Sequence, residues 1–178
     1  MSDTGHKPSS HHHHHRKDAV KAVATVVVTV SDTRTLETDK GGNLVAELLE
    51  GAGHPVAGRE IVKDEPEAIR AAVEQALSAD GVRAVILTGG TGVAPRDVTP
   101  ESVAPLLERE IPGFGELFRM LSYEDIGSAA LLSRAVAGLA RGRVLFVIPG
   151  SRGAVRLALE KLIVPELGHL AAEAVKTR

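Results

Sequence analysis

The chain has no cysteine and no tryptophan, and only one tyrosine and three phenylalanines in 178 residues. Without thiols there are no disulfides, thiolate metal ligands or cysteine nucleophiles, which fits a reducing compartment, and the expected location is cytoplasmic. So few rings leave little for nucleic-acid bases to stack on, and a formal charge of −2 with a pI near 6.4 provides no basic footprint. Nucleic acid is therefore excluded as a partner. No apolar run approaches membrane-spanning length and the N-terminus is polar, so neither a membrane span nor a signal peptide is expected.

What is present suffices for one core, since 43% hydrophobic content over this length supports a single compact domain. Residues 1–20 are of another composition. They hold six of the eight histidines, five of them consecutive from His11 to His15, and show no apolar periodicity. We read them as a disordered His-rich arm ahead of a domain over residues 21–178. The histidine run can bind transition metals, and it is compatible with an expression tag as well as with a native low-complexity tract.

Within the domain, apolar β-branched runs alternate with helical periodicity. Residues 25–30, 56–62, 84–87 and 144–148 read as strands. Leu44, Val45, Leu48 and Leu49, then Ile69, Val73, Ala76 and Leu77, recur at helical spacing. Further helices are expected through Val103, Leu106 and Leu107, through Leu131, Val136 and Leu139, and from Val155 to Ile163. Asp64 and Glu67 match a capping box ahead of the second helix. This alternation predicts an α/β fold of three layers, α/β/α, with a mostly parallel central sheet. Ligands in such sheets bind outside the carboxyl ends of strands, at a switch in strand order.

Residues 83–101 read as buried strand, glycine turn, acidic group and helix start in succession. Thr88, Gly89, Gly90, Thr91 and Gly92 follow the strand, and glycines there let a ligand approach the main chain. Thr99 and Pro100 suit an N-cap and first helical position, which would aim backbone N–H groups at the same crevice. Asp97 stands beside that phosphate-type cradle, and a carboxylate there calls for an intermediary cation such as Mg²⁺. The alternative is a plain strand-to-helix turn with a solvated aspartate. Neither the G-K-[ST] ending of a P-loop nor a G-x-G-x-x-G fingerprint is present. Ser31 and Asp32 after the first strand, and Pro149, Gly150 and Ser151 after the last, should meet this turn at one rim; Ser151 equally suits a helix cap.

Taken together, these residues resemble the MoaB/MogA family of molybdenum-cofactor biosynthesis proteins from Val23 onward. The resemblance rests on V-T-V-S-D ending at Asp32, I-V-K-D ending at Asp64, L-T-G-G-T-G ending at Gly92 and P-R-D-V-T-P-E ending at Glu101. It continues through P-G-F-G-E-L-F-R-M-L-S-Y-E-D-I-G from Pro112, which favours the MoaB branch, S-R-A-V-A-G from Ser133, and the turn at Pro149. Related members carry P-G-N-P at that last turn, where this chain has Pro149-Gly150-Ser151-Arg152.

The resemblance implies a molybdopterin-binding fold and a Mg²⁺-dependent reaction, in which the terminal phosphate of molybdopterin attacks the α-phosphorus of ATP and pyrophosphate leaves. It assigns Asp64 and Asp97 as catalytic, metal-holding carboxylates. Ser31, Asp32, Thr88 to Gly92, Ser133, Pro149, Gly150 and Ser151 are the corresponding pterin- and phosphate-pocket positions. Ser133 could instead satisfy its own backbone. Some MoaB-branch proteins lack P-R-D-V-T-P, whereas Arg96, Asp97, Thr99 and Pro100 are all kept here, which favours an active enzyme. A non-catalytic paralogue that carries or shields molybdopterin is the competing reading. The resemblance also implies a homotrimer or homohexamer and a molybdenum-insertion protein downstream. Phe114, Leu117, Phe118 and Met120 are the expected contact surface between subunits.

Overall fold

The computed structural model describes residues 19–176, so the histidine run and most of the expected arm lie outside them. Of that arm Ala19 and Val20 are described, and the Val20 N–H donates to the Gly168 carbonyl at 3.0 Å.

Strands form where apolar runs were read: β1 (Thr25–Val30), β2 (Val56–Val62) and β3 (Ala84–Thr88), followed by β4 (Arg109–Glu110), β5 (Val136–Ala140) and β6 (Arg143–Ile148). They make one sheet in the order β2-β1-β3-β6-β5-β4. β1, β2, β3 and β6 are mutually parallel, and β5 and β4 close one side antiparallel. The helices are α1 (Lys40–Gly51), α2 (Pro66–Ser78), α3 (Thr99–Val103), α4 (Pro112–Ile126), α5 (Arg152–Leu157) and α6 (Val164–Glu173). None of them is long and apolar enough to cross a membrane.

The five residues of β3 are all buried, because successive side chains enter different cores. Ala84 and Ile86 join Leu49, Phe118, Leu159 and Leu167 on one face. Val85 and Leu87 join Ile69, Val73, Leu77 and Val103 on the other. Helices therefore cover both faces of a mostly parallel sheet, the three-layer α/β/α arrangement expected.

Four local expectations are corrected. Leu131, Val136 and Leu139 do not share a helix: Leu131 lies in a 3₁₀ turn (Gly127–Leu132), while Val136 and Leu139 belong to β5. The overlooked signal is Arg141-Gly142, whose φ values of 50° and 70° build the two-residue hairpin between β5 and β6. Asp64 is not a cap, because Pro66 occupies the first turn of α2 and leaves Glu65 at the N-cap without a side-chain bond. Thr99 is already helical rather than capping. Phe114 and Phe118 are not surface residues; they are 7% and 1% exposed, and Phe114 meets Phe146 edge-on at 5.3 Å. The exposed apolar face there consists of Leu117 and Met120, together with Tyr123, Ile126, Leu131 and Leu132.

The expected C-terminal helix is present but interrupted. A π-helical turn (Ala158–Ile163) joins α5 to α6. Pro165 has no N–H and its ring crowds the carbonyl four residues earlier, which a wider turn accommodates.

Candidate functional site

After β1 the chain moves to β2 on one side, and after β3 it proceeds toward β6 on the other, so strand order reverses between β1 and β3. Outside the carboxyl ends of these strands lies a crevice of about 320 Å³. Val30 and Ser31 reach it from β1, Thr88, Gly89, Gly90, Thr91, Gly92 and Asp97 from the turn after β3, and Gly150 and Ser151 from the end of β6. The three strand ends do converge. Pro149 contributes its carbonyl, which accepts from Thr88 Oγ1 at 3.3 Å.

The glycine turn is obligatory at two positions. Gly89 has φ +104°, and a Cβ there would stand 2.4 Å from the Val30 carbonyl oxygen. Gly90 has φ +63°, and its Cβ would stand 2.2 Å from Thr99 Oγ1. No L side chain fits either place without moving the main chain. Thr99, fully buried, clips the turn to α3: its hydroxyl donates to the Gly89 carbonyl at 2.9 Å and its N–H to the Gly90 carbonyl at 3.1 Å. Ser151 caps α5, its Oγ accepting from the Ala154 N–H at 3.3 Å, so capping and crevice lining coexist in one residue.

Two carboxylates lie against this turn. A Cβ on Gly92 would be 2.6 Å from Asp97 Oδ2, and one on Gly90 would be 3.0 Å from Asp64 Oδ1. Asp97 lines the crevice, whereas Asp64 sits behind Gly90 and outside the lining. Asp64 Oδ1 is buried with no hydrogen-bond partner. Burial, reinforced by the nearby Asp97 and Asp32 charges, holds its carboxyl above the usual 3.8, although the Val98 backbone and the Arg96 guanidinium pull the other way. Asp32 points its Oδ1 at the Asp64 N–H, 3.1 Å away, and so fixes the backbone that carries Asp64. Asp32 lines an adjoining groove of about 470 Å³ that also holds Arg34, Arg59 and Lys63. Ser31 binds the Thr33 and Arg34 N–H groups through its Oγ, both at 3.3 Å.

Among the described residues, no group of three or more His, Cys, Asp or Glu side chains is arranged to hold a metal by itself. Mg²⁺ does not require one, being commonly held by one or two carboxylates together with substrate phosphates. An orphaned buried carboxylate oxygen with a second carboxylate on the same glycine turn fits that demand.

Ser133 is the expected site residue that the structure sets apart. It lies in extended backbone after the 3₁₀ turn and lines a different groove, of about 430 Å³, with Glu116, Arg119 and Arg134. Its Oγ is buried and unpaired there. That groove is larger, but the crevice carries the strand-end turns and Asp97, so we take the crevice as the candidate site and the groove as its neighbour.

Sequence reasoning missed three contributors. Asp39 is 1% exposed at the N-cap of α1, accepting from Thr29 Oγ1 at 2.6 Å and from the Gly42 N–H at 2.9 Å, with Arg59 at 3.3 Å. It lines the crevice, as does Arg34. An acidic residue immediately ahead of the α1 periodicity was a readable cap signal. Arg134 was passed over beside Ser133, yet its guanidinium reaches across to the glycine turn, donating to the Gly92 carbonyl at 2.8 Å.

The fold is that of an open α/β protein with a crevice at its topological switch point, the place where sheets of this kind bind ligands. The chain belongs to the family described as a probable molybdopterin binding domain, which it matches over residues 26–169. It is 57% identical over 174 residues to molybdenum cofactor biosynthesis protein B of Bacillus cereus, covering 97% of this chain and 98% of that one. Identity to the protein of the same name from Bacillus subtilis is 53% over 163 residues, 91% of this chain and 96% of that one. A crystal structure of molybdenum cofactor biosynthesis protein B superposes with a TM-score of 0.85 at 57% identity, covering 86% of this chain and 96% of that one. Tungsten cofactor synthesizing protein MoaB from Pyrococcus furiosus gives 0.80 at 38% identity, covering 89% of this chain and 100% of that one. The MoaB/MogA resemblance read from the motifs is thus a family membership.

Proposed function

We propose that the protein acts in molybdenum-cofactor biosynthesis as a molybdopterin adenylyltransferase. A terminal phosphate oxygen of molybdopterin forms a bond to the α-phosphorus of ATP, the α–β phosphoanhydride bond breaks, and pyrophosphate leaves. The observation that carries this reading is the pairing of Asp97 with the orphaned Asp64 oxygen on one glycine turn. Asp64 and Asp97 would hold Mg²⁺, which when bound with ATP offsets charge on the phosphoryl oxygens.

The protein's own part is placement. Gly89 and Gly90 remove side chains so that phosphate can lie against the main chain, and Thr99 keeps that turn from collapsing. Asp32 steadies Asp64, and Asp97 closes its own loop by accepting from the Ala94 N–H at 3.0 Å. No protein nucleophile is needed, because positioning and charge stabilisation dominate such transfers.

The assembly belonging to this reading is a trimer or a hexamer built on it, with the exposed face from Leu117 to Leu132 as the contact. The cytoplasm is the compartment. The test is to incubate purified protein with molybdopterin, ATP and Mg²⁺ and to measure pyrophosphate and adenylylated pterin. Mg²⁺-dependent release of both supports the enzyme. Tight pterin binding without pyrophosphate would replace it with the carrier reading.

A further inference from the structure

Residues 93–96, between β3 and α3, are all exposed. The turn they form is tied to itself, with the Ala94 N–H on Asp97 Oδ2 at 3.0 Å and the Asp97 N–H on the Ala94 carbonyl at 2.9 Å. Such bonds shape a turn but do not fix its place relative to the sheet.

Arg134 supplies that connection from a distant part of the chain. Its Nε donates to the Gly92 carbonyl at 2.8 Å and to the Thr91 carbonyl at 3.4 Å, where the loop begins. Its Nη2 donates to the Asp97 carbonyl at 2.6 Å, where the loop ends. Nη1 pairs with Glu101 of α3, which orients the whole group. One planar cation thereby gathers both ends of the segment carrying the Asp97 carboxylate. A lysine offers a single point of attachment and cannot span these directions. Arg134 also lines the groove of Glu116, Arg119 and Ser133, so the side chain that holds the crevice's glycine turn through its carbonyls belongs to the wall of the neighbouring groove.

We propose that Arg134 is a positioning residue that sets the place of the Asp97 carboxylate by clamping the two ends of its loop, and that links this loop to the neighbouring groove. The kinetic part rests on the adenylylation reading; the clamp itself does not.

The test uses Arg134→Lys and Arg134→Gln in the full chain, with amide hydrogen exchange as the first readout. Exchange at Asp97, whose N–H is bonded within the loop, should accelerate about tenfold or more in both variants while Val85 to Leu87 in β3 stay protected. Trypsin should cut after Arg96 in the variants faster than in the wild type. In the adenylylation assay kcat should fall about 10- to 100-fold with little change in the ATP KM, the signature of a misplaced group rather than lost binding. Unchanged loop exchange in both variants would overturn the proposal, as would full restoration of exchange and kcat by lysine. Faster loop exchange in a protein whose wild type makes no pyrophosphate would uphold the clamp and sink the adenylylation reading. Should Arg134→Gln fail to fold, Arg134→Lys, which keeps the charge, carries the test.

Discussion

Asp64→Asn separates the two roles that its sequence position allows. If Asp64 capped α2, its loss would cost about 1 kcal/mol, or a fall in Tm of roughly 2–4 °C for a chain of this size. The structure removes that cost, since Glu65 rather than Asp64 is the N-cap of α2. The carboxyl is instead held above its ordinary 3.8 by burial and by Asp97 and Asp32. A folded value above the unfolded one means that its favourable contribution is present below pH 3.8 and is lost as pH rises through the raised value. At pH 7 the wild type therefore bears a charge penalty that the Asn variant lacks, and the variant should melt at the same temperature or higher. The difference should close as the pH is lowered toward 3.8. A cation binding the folded state at ten times its Kd adds about 1.4 kcal/mol, or roughly 3–6 °C. Mg²⁺ with a non-hydrolysable ATP analogue should give that rise in the wild type and not in the variant. Turnover should drop by about two to three orders of magnitude, as for other lost electrostatic groups. Calorimetry and a pyrophosphate assay on the same samples decide the matter. A Tm fall of the capping size with wild-type turnover would refute the metal assignment.

Asp97→Asn should lower turnover by a similar factor of about two to three orders of magnitude while pterin binding, read by fluorescence or calorimetry, is retained; wild-type turnover at saturating Mg²⁺ and ATP would remove it from the chemistry. His54 is 6% exposed, its Nδ1 accepts from the Val23 N–H at 3.1 Å, and burial holds its pKa below 6.5. Its contribution is therefore present above pH 6.5 and lost as pH falls through the lowered folded value, so Tm should decline below pH 6.5 more steeply in the wild type than in His54→Gln; parallel profiles would show that His54 is not responsible. Sedimentation at micromolar concentration should show a trimer or hexamer that Leu131→Asp dissociates, since Leu131 is 79% exposed on the apolar face. A wild-type monomer would contradict this.

Much of the molecule was legible from its residues alone because the relevant physics is local. Continuous apolar runs such as Ala84 to Leu87 belong to strands covered on both faces, and the periodicity of Leu44 to Leu49 and of Ile69 to Leu77 belongs to helices packed on one side. The glycines after β3 marked a backbone no side chain could occupy, and Asp97 beside them marked the crevice at the strand ends. Family motifs carried the rest of that reading. Local signals failed where two of them competed: the helical spacing of Val136 and Leu139 hid a strand that the Arg141-Gly142 turn pairs with β6, and Asp64 looked like a cap until Pro66 placed the helix start. Other features had no local signal at all. Ser133 enters the groove rather than the crevice, and Arg134 lies 42 residues from the Gly92 carbonyl it holds. Which strand ends meet, which carboxylate loses its water and which cation reaches a distant carbonyl depend on sheet order and burial. Those are decided by contacts between segments remote in the chain, which no window of sequence contains.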